Sequence, residues 1–337
     1  MLVSRPPAIY ISPELNSEGI FIMSSRHDCG KLTSPLIFAS WLVLFLPMVL
    51  TLQPKLRAEA PPDPVRLGMV KSLFRNVPEP LIKVCAQPFR ALVQEQTGFT
   101  CKLDPPTDPF KLGEQVASNE IELGVFQGIE FAWVREKHPE LRPLVIAVNV
   151  HPTRRAHLIL RADDSATGVA DLKGKKLAIP RQSRDHCEVF IDRQCRKCGQ
   201  PLCQFFSHVD TSLNVEQALD DVFEETIRAA VVDDVAWECY KRRKPGRAEH
   251  LKDFLRSQPF PDTVVAYRGN SLDAATLSRL REGLLTADHN ALGRQLLTLW
   301  SMTEFQKVPK DFAKVLDEIV KIYPAPEPPS KLTTTHP

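Results

Sequence analysis

Short apolar runs alternate with amphipathic stretches along most of the chain. VRLGMV at 65–70 has the pattern of a buried strand, and the segment after it places apolar residues at helical spacing up to Gly98. The strand-then-helix unit recurs with TCKLDP and a helix from about Phe110 to Asn119, and again with ELGVF and GIEFAWVREKH. LRPLVIAVNV then predicts a further strand. Because single helices separate the strands, we expect a mostly parallel sheet with helices on both faces.

The same alternation begins a second time after residue 155. HLILRA, KLAI, QFFSHV and AAVVDD predict strands, and EVFIDRQCRK, VEQALDDVF and VAWECYKRR predict helices between or after them. After Pro261 the strand TVVAYR is followed only by helical patterns. A chain of 337 residues is too long for one small domain. We therefore predict lobe 1 at 65–155, lobe 2 at 156–258, a return to lobe 1 with C-terminal helices at 259–323, and a disordered tail at 324–337.

The first 60 residues carry a targeting pattern. An uncharged apolar run at 35–52 follows basic residues and precedes the sequence Ala-Glu-Ala at 58–60, which together are typical of a secretory signal peptide. We predict that translation starts at Met23, so that the basic residues directly precede the run. The alternative is an uncleaved membrane anchor, because Pro61 at the cleavage point hinders the peptidase and the run is close to the length that spans a bilayer.

Charge and motifs narrow the classes of function. The formal net charge is +2, from 43 basic and 41 acidic residues, so the chain lacks the positive field with which nucleic-acid-binding proteins collect phosphates. The sequence also contains no glycine-rich nucleotide loop, no H-E-x-x-H and no G-x-S-x-G. We therefore predict a binding protein without a cofactor and not an enzyme, and we expect no nucleic-acid partner.

Four segments, in the order in which they occur, resemble one known family. They are LGVFQG at 123–128, DLKGKKLA at 171–178, SHVDTSL at 207–213 and AAVVDDV at 229–235. Through them the chain is similar to the phosphate, phosphite and phosphonate solute-binding proteins of ABC transporters, which have the type II periplasmic-binding fold. The resemblance implies an α/β protein with two lobes and a ligand cleft between them. It also implies an exported, periplasmic monomer that captures a small oxyanion for an ABC transporter permease.

The predicted ligand site lies in the loops that follow the strands. In doubly wound sheets, ligands bind beyond the carboxyl ends of the strands, where loops lead into helix N-termini. The unpaired N–H groups and partial positive charge of a helix N-terminus hold an oxyanion without a full countercharge. The resemblance implies that the family lines its cleft at these positions. The predicted ligand-binding residues are Ser72, Phe74, Phe126, Gln127, Arg181, Gln182, Ser183, Arg184, His208 at the end of the predicted strand QFFSH, Asp233 and Asp234.

The segment PRQSRDH at 180–186 departs from the family pattern. Relatives carry a run of Ser and Thr there, whereas this chain keeps only Ser183 and flanks it with Arg181 and Arg184. An arginine binds planar oxyanions through a fork of donors, so we expect a preference shifted toward a carboxylate or a more highly charged phosphate.

Several of these residues have an equally compatible structural interpretation. Arg181 and Arg184 also fit solvated loop charges, since most arginines lie at the surface. His208 also fits an ordinary histidine at the end of a strand. Asp233 or Asp234 also fits the N-cap of the helix VAWECY, a position at which Asp is favoured.

The chain has eight cysteines, and four of them are close together in sequence. Because an exported protein normally pairs its cysteines, we predict disulfides, and we leave Cys239 as the free thiol. The alternative is a metal site in a sensor or enzyme that reuses the bilobal fold, with the same four cysteines beside His186 and His208. The disulfide candidates are Cys85, Cys101, Cys187, Cys195, Cys198 and Cys203, of which the last four are the metal candidates.

Overall fold

A computed structural model describes residues 64–74, 77–151, 153–181 and 185–326. The predicted signal segment and residues 327–337 of the predicted tail lie outside the described residues. All the described residues belong to one compact unit of the chain, Glu59–Pro337.

The first part of this unit builds one sheet from alternating strands and helices, as the apolar periodicity predicts. The first helix ends before Gly98, which adopts a left-handed φ of 71° and whose N–H donates to the carbonyl oxygen of Gln94. The second helix is capped by Asp108, whose side chain accepts the N–H groups of Phe110 and Lys111. The elements are β1 (Val65–Met69), a 3₁₀ turn (Lys71–Phe74), α1 (Glu79–Thr97), β2 (Cys101–Leu103), α2 (Pro109–Ala117), β3 (Leu123–Phe126), α3 (Gly128–Lys137) and β4 (Leu141–Val148).

A two-residue strand, β5 (Thr153–Arg154), leads from this sheet into a second one. QFFSHV, predicted as a strand, instead forms a short helix followed by a strand that begins only at His208. The elements are β6 (Ala156–Arg161), a 3₁₀ turn (Val169–Leu172), β7 (Lys176–Ala178), α4 (Asp185–Lys197), α5 (Leu202–Phe205), β8 (His208–Asp210), α6 (Val215–Phe223), β9 (Ala229–Asp233), α7 (Asp234–Arg243), α8 (Pro245–Ala248) and β10 (Leu251–Arg256).

The chain then returns to the first sheet. The return passes through a two-residue strand at 260–261, which pairs with β5 in an antiparallel two-stranded ribbon. TVVAYR forms the next strand, which lies between β4 and β3. The elements are β11 (Phe260–Pro261), β12 (Thr263–Arg268), α9 (Ala274–Leu285), a 3₁₀ turn (Ala287–His289), α10 (Ala291–Leu299), β13 (Glu304–Gln306) and α11 (Phe312–Ile322).

Both sheets are mixed, which corrects the expectation of mostly parallel strands. The first sheet has the order β13-β4-β12-β3-β1-β2, and the second has the order β10-β6-β9-β7-β8. Parallel pairing joins β1 to β2 and β3, and β7 to β8 and β9. The other pairs in these sheets are antiparallel. Four of them contain β12 or β6, which enter their sheets directly from the ribbon without a crossover helix. The α/β fold with two lobes is confirmed, each lobe containing one of the two sheets.

The ribbon of β5 and β11 contains a buried ion pair. The chain passes from the first lobe to the second through β5, the first crossing, and returns through β11, the second crossing. In the ribbon Arg154 lies opposite Phe260 and Thr153 lies opposite Pro261, so the two crossings run side by side. The Nε of Arg154 donates a hydrogen bond to Asp262 Oδ1 over 3.1 Å, and the two side chains are only 4% and 2% exposed. The crossings are therefore joined by charge as well as by main-chain hydrogen bonds.

Tyr323, just after α11, connects parts of both lobes. Its ring lies 4.7 Å from the ring of Phe260 in the second crossing, and the ring of His186 in α4 lies 5.4 Å from the same Phe260 ring. Arg193 of α4 lies 5.2 Å from the centre of the Tyr323 ring. The carbonyl oxygen of Tyr323 accepts a hydrogen bond from Trp133 of α3 over 2.7 Å. The C-terminal helix thus packs on the first lobe and ends in contact with the second.

Candidate functional site

The strand ends that carry the predicted site residues lie beside the two crossings. Gln127, which follows β3, accepts a hydrogen bond through Oε1 from the hydroxyl of Thr263 over 3.3 Å, and Thr263 begins β12 just after the second crossing. In the second lobe, Asp233 at the end of β9 is paired with Ala156, which begins β6 just after the first crossing. The carboxyl ends of β3 and β9 therefore both lie at the crossing end of their sheets.

A buried carboxyl group, Glu130, lies in the first turn of α3. Glu130 is 7% exposed, and its Oε2 accepts hydrogen bonds from the hydroxyl of Ser72 over 2.8 Å and from the N–H of Gln127 over 3.3 Å. Burial raises the pKa of Glu130 to about 7. The hydrogen bond from Ser72 opposes this rise, the negative charges of Asp185 and Asp108 add to it, and Gln127 opposes it. Ser72 and Gln127, two of the predicted residues, are thus brought together by a third that the sequence analysis missed.

Phe74 and Phe126 do not lie at an open surface. Phe74 is 5% exposed and packs edge-on against Trp300, with ring centres 5.2 Å apart. Phe126 is fully buried against Phe131 at 5.8 Å. These two side chains belong to the hydrophobic core, since a strand end next to a polar loop still buries its large apolar side chains. Their contact with a ligand stays a prediction.

The two aspartates after β9 lie at the start of α7. Asp233 is the N-cap, and its Oδ1 accepts the N–H of Ala236 over 2.7 Å, as the structural alternative predicts. Burial raises the pKa of Asp234, and the neighbouring charge of Asp233 adds to this rise. Arg154 and His157 act in the opposite direction on Asp234. The acidic pair is therefore close to the buried arginine of the first crossing.

The arginine-rich segment follows β7. Arg181 is exposed, and its N–H bonds to the carbonyl oxygen of Leu213 over 2.8 Å. Gln182, Ser183 and Arg184 lie outside the described residues.

His208 begins β8 and does not close a strand. It is exposed and stands opposite Lys176, the first residue of the parallel strand β7. The carboxyl end of β8 is formed instead by Asp210, whose Oδ1 accepts the N–H and the hydroxyl of Ser212. His208 therefore lies at the end of the sheet opposite to Asp233, which removes the geometric reason for a ligand contact.

The cysteines give no support to a metal centre. Cys187 and Cys195 are buried in the core side of α4, whereas Cys198 and Cys203 are exposed, so the four sulfurs do not converge. Among the residues that the structure describes, no group of three or more His, Cys, Asp or Glu side chains could hold a metal ion. The seven described cysteines, including the disulfide candidates Cys85, Cys101, Cys187, Cys195, Cys198 and Cys203, are free thiols in the structure.

A surface pocket of about 310 Å³ lies elsewhere in the first lobe. Leu141 and Pro143 at the start of β4 line it together with Phe312 and Leu316 of α11. β4 runs parallel to β3 in the sheet, so its start is at the far end from the crossings. This pocket is thus separate from the strand ends described above.

The sequence does contain a signal for Glu130. In GIEFAWV the glutamate is the single charged residue of a segment whose seven residues are all buried. A charge inside a helix that is apolar on every side must be buried, and buried charges mark functional sites more often than exposed ones.

Comparisons with known proteins agree with the geometry. A family model described as "ABC transporter, phosphonate, periplasmic substrate-binding protein" matches residues 82–311. XAC2383 from Xanthomonas citri, solved bound to ATP, has a TM-score of 0.55 and 15% identity over 77% of this chain and 96% of its own. PhnD1 from Prochlorococcus marinus (MIT 9301), in complex with methylphosphonate, has a TM-score of 0.53 and 13% identity over 76% of this chain and 97% of its own. A search of curated protein sequences gives no match.

The likeness to these solved structures shows the fold, and the family match covers more than half of the chain. Proteins of the matched family are periplasmic solute-binding components of ABC transporters and not enzymes. Among the helices in the described part of the chain, none has both the length and the apolar character needed to cross a membrane. From the match over residues 82–311, this chain belongs to the family of phosphonate periplasmic substrate-binding proteins of ABC transporters.

Proposed function

We propose that this protein binds a small oxyanion of the phosphonate or phosphate class in the cleft between its lobes and delivers it to an ABC transporter permease. The observation that carries the proposal is the position of the two strand ends. Gln127 after β3 contacts Thr263 beside one crossing, and Asp233 at the end of β9 pairs with Ala156 beside the other. Ligands of open α/β sheets bind at such carboxyl ends, and closure about two short crossings encloses them.

Within that cleft, we assign the anionic group of the ligand to the space between α3 and Arg181. The N-termini of α3 and α7 are both capped by their own side chains, since Glu130 accepts the N–H of Gln127 and Asp233 accepts the N–H of Ala236. The choice between them therefore rests on the positive charge. Arg181, at the carboxyl end of β7, supplies the positive charge of the second lobe, and Ser72 and Gln127 supply hydrogen-bonding groups from the first. Charge-assisted hydrogen bonds from an arginine are the strongest contacts that this arrangement offers an oxyanion.

Titration with known anions tests the proposal. We expect methylphosphonate or inorganic phosphate to raise the melting temperature, since ligand at 100 times its Kd stabilises the native state by about 2.7 kcal/mol. The radius of gyration from X-ray scattering should fall as the lobes close. Native mass spectrometry of the purified protein identifies any small molecule that copurifies. If phosphate, methylphosphonate and acetate all leave the melting temperature and the radius of gyration unchanged, the proposed function is wrong.

Arg181→Ala should weaken binding by about tenfold or more, because a charge-assisted hydrogen bond contributes about 1.5–3 kcal/mol. Arg256→Ala is the matched control, because the Arg256 side chain is 66% exposed at the edge of the same lobe, where it pairs with Asp253. Unchanged affinity in both variants would remove Arg181 from the site while leaving oxyanion binding itself intact.

Family membership implies export to the periplasm, and we propose that residues 1–60 direct it. The intact mass of the protein recovered from the periplasm separates the two forms that the sequence leaves open. A chain that begins at Pro61 shows a cleaved signal peptide, whereas a chain that keeps the apolar run at 35–52 and sediments with membranes shows an anchor.

A further inference from the structure

The surface pocket of the first lobe has an apolar interior. Its floor contains Leu141 at the start of β4 and Phe312 and Leu316 in the first turns of α11, all of them buried residues. Three prolines also line it, namely Pro139, Pro143 and Pro309. Because none of these side chains can donate or accept a hydrogen bond, the interior suits the apolar part of a ligand.

The charged residues that line this pocket are all basic. They are Arg135, Arg142 and Lys310. Nη1 of Arg135 donates to the carbonyl oxygen of Ala313 over 3.4 Å and to Asp317 Oδ1 over 3.2 Å, which holds this arginine between α3 and α11. Arg142 and Lys310 are exposed, and no ion pair within the described part of the chain engages either of them. The pocket therefore offers positive charge beside an apolar interior.

The acidic side chains nearby do not cancel this charge. Glu140 lies 3.5 Å from His138, and neither residue lines the pocket. Asp317 compensates Arg135 alone, and its side chain is 63% exposed, so water weakens the pair. Asp311 is exposed to solvent at the start of α11 and does not line the pocket. The three lining cations thus keep an excess of positive charge, which favours a ligand with a negative group.

The volume of the pocket limits the size of that ligand. At about 310 Å³ the pocket is at the lower end of the range for small-molecule sites, which is roughly 300–1,000 Å³. Since a water molecule occupies about 30 Å³ of the liquid, this space holds on the order of ten non-hydrogen atoms. A carboxylate with an aliphatic tail of about eight carbons has this size, whereas a nucleotide is too large.

We propose that this pocket is a second binding site, which takes a small amphiphile with a carboxylate head and an aliphatic tail. The tail packs on Leu141, Phe312 and Leu316, and the carboxylate lies at the edge, where the long side chain of Lys310 can reach it. Because the start of β4 is at the far end of the sheet from the crossings, this site is separate from the cleft. The inference therefore does not rest on the proposed function.

Calorimetric titration of the protein with octanoate tests the inference. We expect saturable binding of one octanoate per chain. Octan-1-ol and octylammonium should bind at least tenfold more weakly, since one lacks the negative charge and the other reverses it. Hexanoate should bind about tenfold more weakly than octanoate, because each buried methylene contributes about fourfold in affinity.

Two variants place the binding in this pocket. Lys310→Gln removes an exposed positive charge and should weaken octanoate binding about threefold to tenfold while leaving the affinity for octan-1-ol unchanged. Ala313→Trp, at an exposed lining position, should fill the pocket and abolish binding of both compounds. Lys314→Gln is the matched control, because Lys314 lies on the same helix with its side chain 78% exposed and does not line the pocket.

The outcomes separate this site from the cleft and from a protein partner. Equal affinity for octanoate and octan-1-ol, or unchanged octanoate binding in both pocket variants, overturns the inference. Octanoate that is displaced by methylphosphonate and lost in Arg181→Ala occupies the cleft, which also overturns it. A dimer in sedimentation that Ala313→Trp dissociates would show a second copy on the pocket, with the same consequence. If octanoate binds as expected and no phosphate or phosphonate binds, the proposed function fails and this inference stands.

Discussion

The ion pair between the two crossings offers a direct test of what holds the lobes together. Arg154 and Asp262 are 4% and 2% exposed, and their side chains approach to 3.1 Å. Asp262 Oδ1 also accepts the N–H of Thr263 over 3.0 Å. The change Arg154→Met keeps most of the apolar volume of the side chain and removes the positive charge, which leaves the carboxylate of Asp262 in the interior without this partner.

Removing one member of a buried ion pair costs about 3–5 kcal/mol, because the remaining charge loses its compensation but stays out of water. At about 2 °C per kcal/mol for a chain of this length, Arg154→Met should lower the melting temperature by roughly 6–10 °C. The Asp262→Asn change should also destabilise, because it leaves Arg154 buried and charged. The double variant should be less unstable than the sum of the two single variants, since neither charge then remains.

Urea unfolding monitored by circular dichroism measures these free energies. Lys314→Met is the matched control, because Lys314 and Glu318 lie 3.8 Å apart on α11 with side chains 78% and 60% exposed. An exposed pair of this kind contributes under about 1 kcal/mol. If Arg154→Met costs no more than Lys314→Met, or if the double variant costs the full sum, the pair does not join the crossings energetically and the reasoning is refuted.

Three other predictions concern the same region. Gly128→Ala should destabilise the protein by about 1–3 kcal/mol or more, because the Cβ of an alanine would lie 2.1 Å from the main-chain oxygen of Pro261 in the second crossing. Gly168→Ala is the control in the same thermal unfolding experiment, and it should be neutral or slightly stabilising because open space surrounds that position. Tyr323→Ala should lower the free energy of unfolding by about 3–5 kcal/mol, because it removes the ring that lies 4.7 Å from Phe260. It should also increase the radius of gyration of the unliganded protein in X-ray scattering. A radius of gyration equal to that of the parent protein would argue against Tyr323 as a connection between the lobes. The pKa of Glu130 is raised from its ordinary value of 4.5 to about 7 in the folded protein, so the native state holds the proton more tightly than the unfolded chain. The free energy of unfolding should therefore fall by about 3 kcal/mol as the pH rises from 4.5 to about 7. Urea unfolding across this interval should show the fall in the parent protein and not in Glu130→Gln.

Local structure followed closely from the sequence. The apolar run at 65–70 forms β1, and Gly98 ends α1 with the left-handed φ of 71° that glycine adopts most readily. Asp233 caps α7, as one of the two interpretations of that residue predicts. Such features depend on neighbours a few residues away, so the sequence carries most of the information needed to predict them. The domain boundaries, the disulfides and the ligand contacts of the predicted site residues stay predictions.

Where the sequence analysis was wrong, the deciding contact joins distant parts of the chain. QFFSHV has the composition of a strand, yet the strand β8 starts only at His208. That residue is the first to pair with β7, opposite Lys176. The burial of the Phe74 ring likewise depends on Trp300, a residue far along the chain.

By itself, the sequence determined the strands and helices of most of the chain, the two-lobed fold class and the family. Only the tertiary structure decided that Ser72 bonds to Glu130, 58 residues away, and that Arg154 meets Asp262 across 108 residues. It also decided that the sheets are mixed, since β6 and β12 enter them directly from the crossings. The physical reason is that burial and pairing of a polar group depend on which remote segment packs against it, and periodicity along the chain does not contain that information.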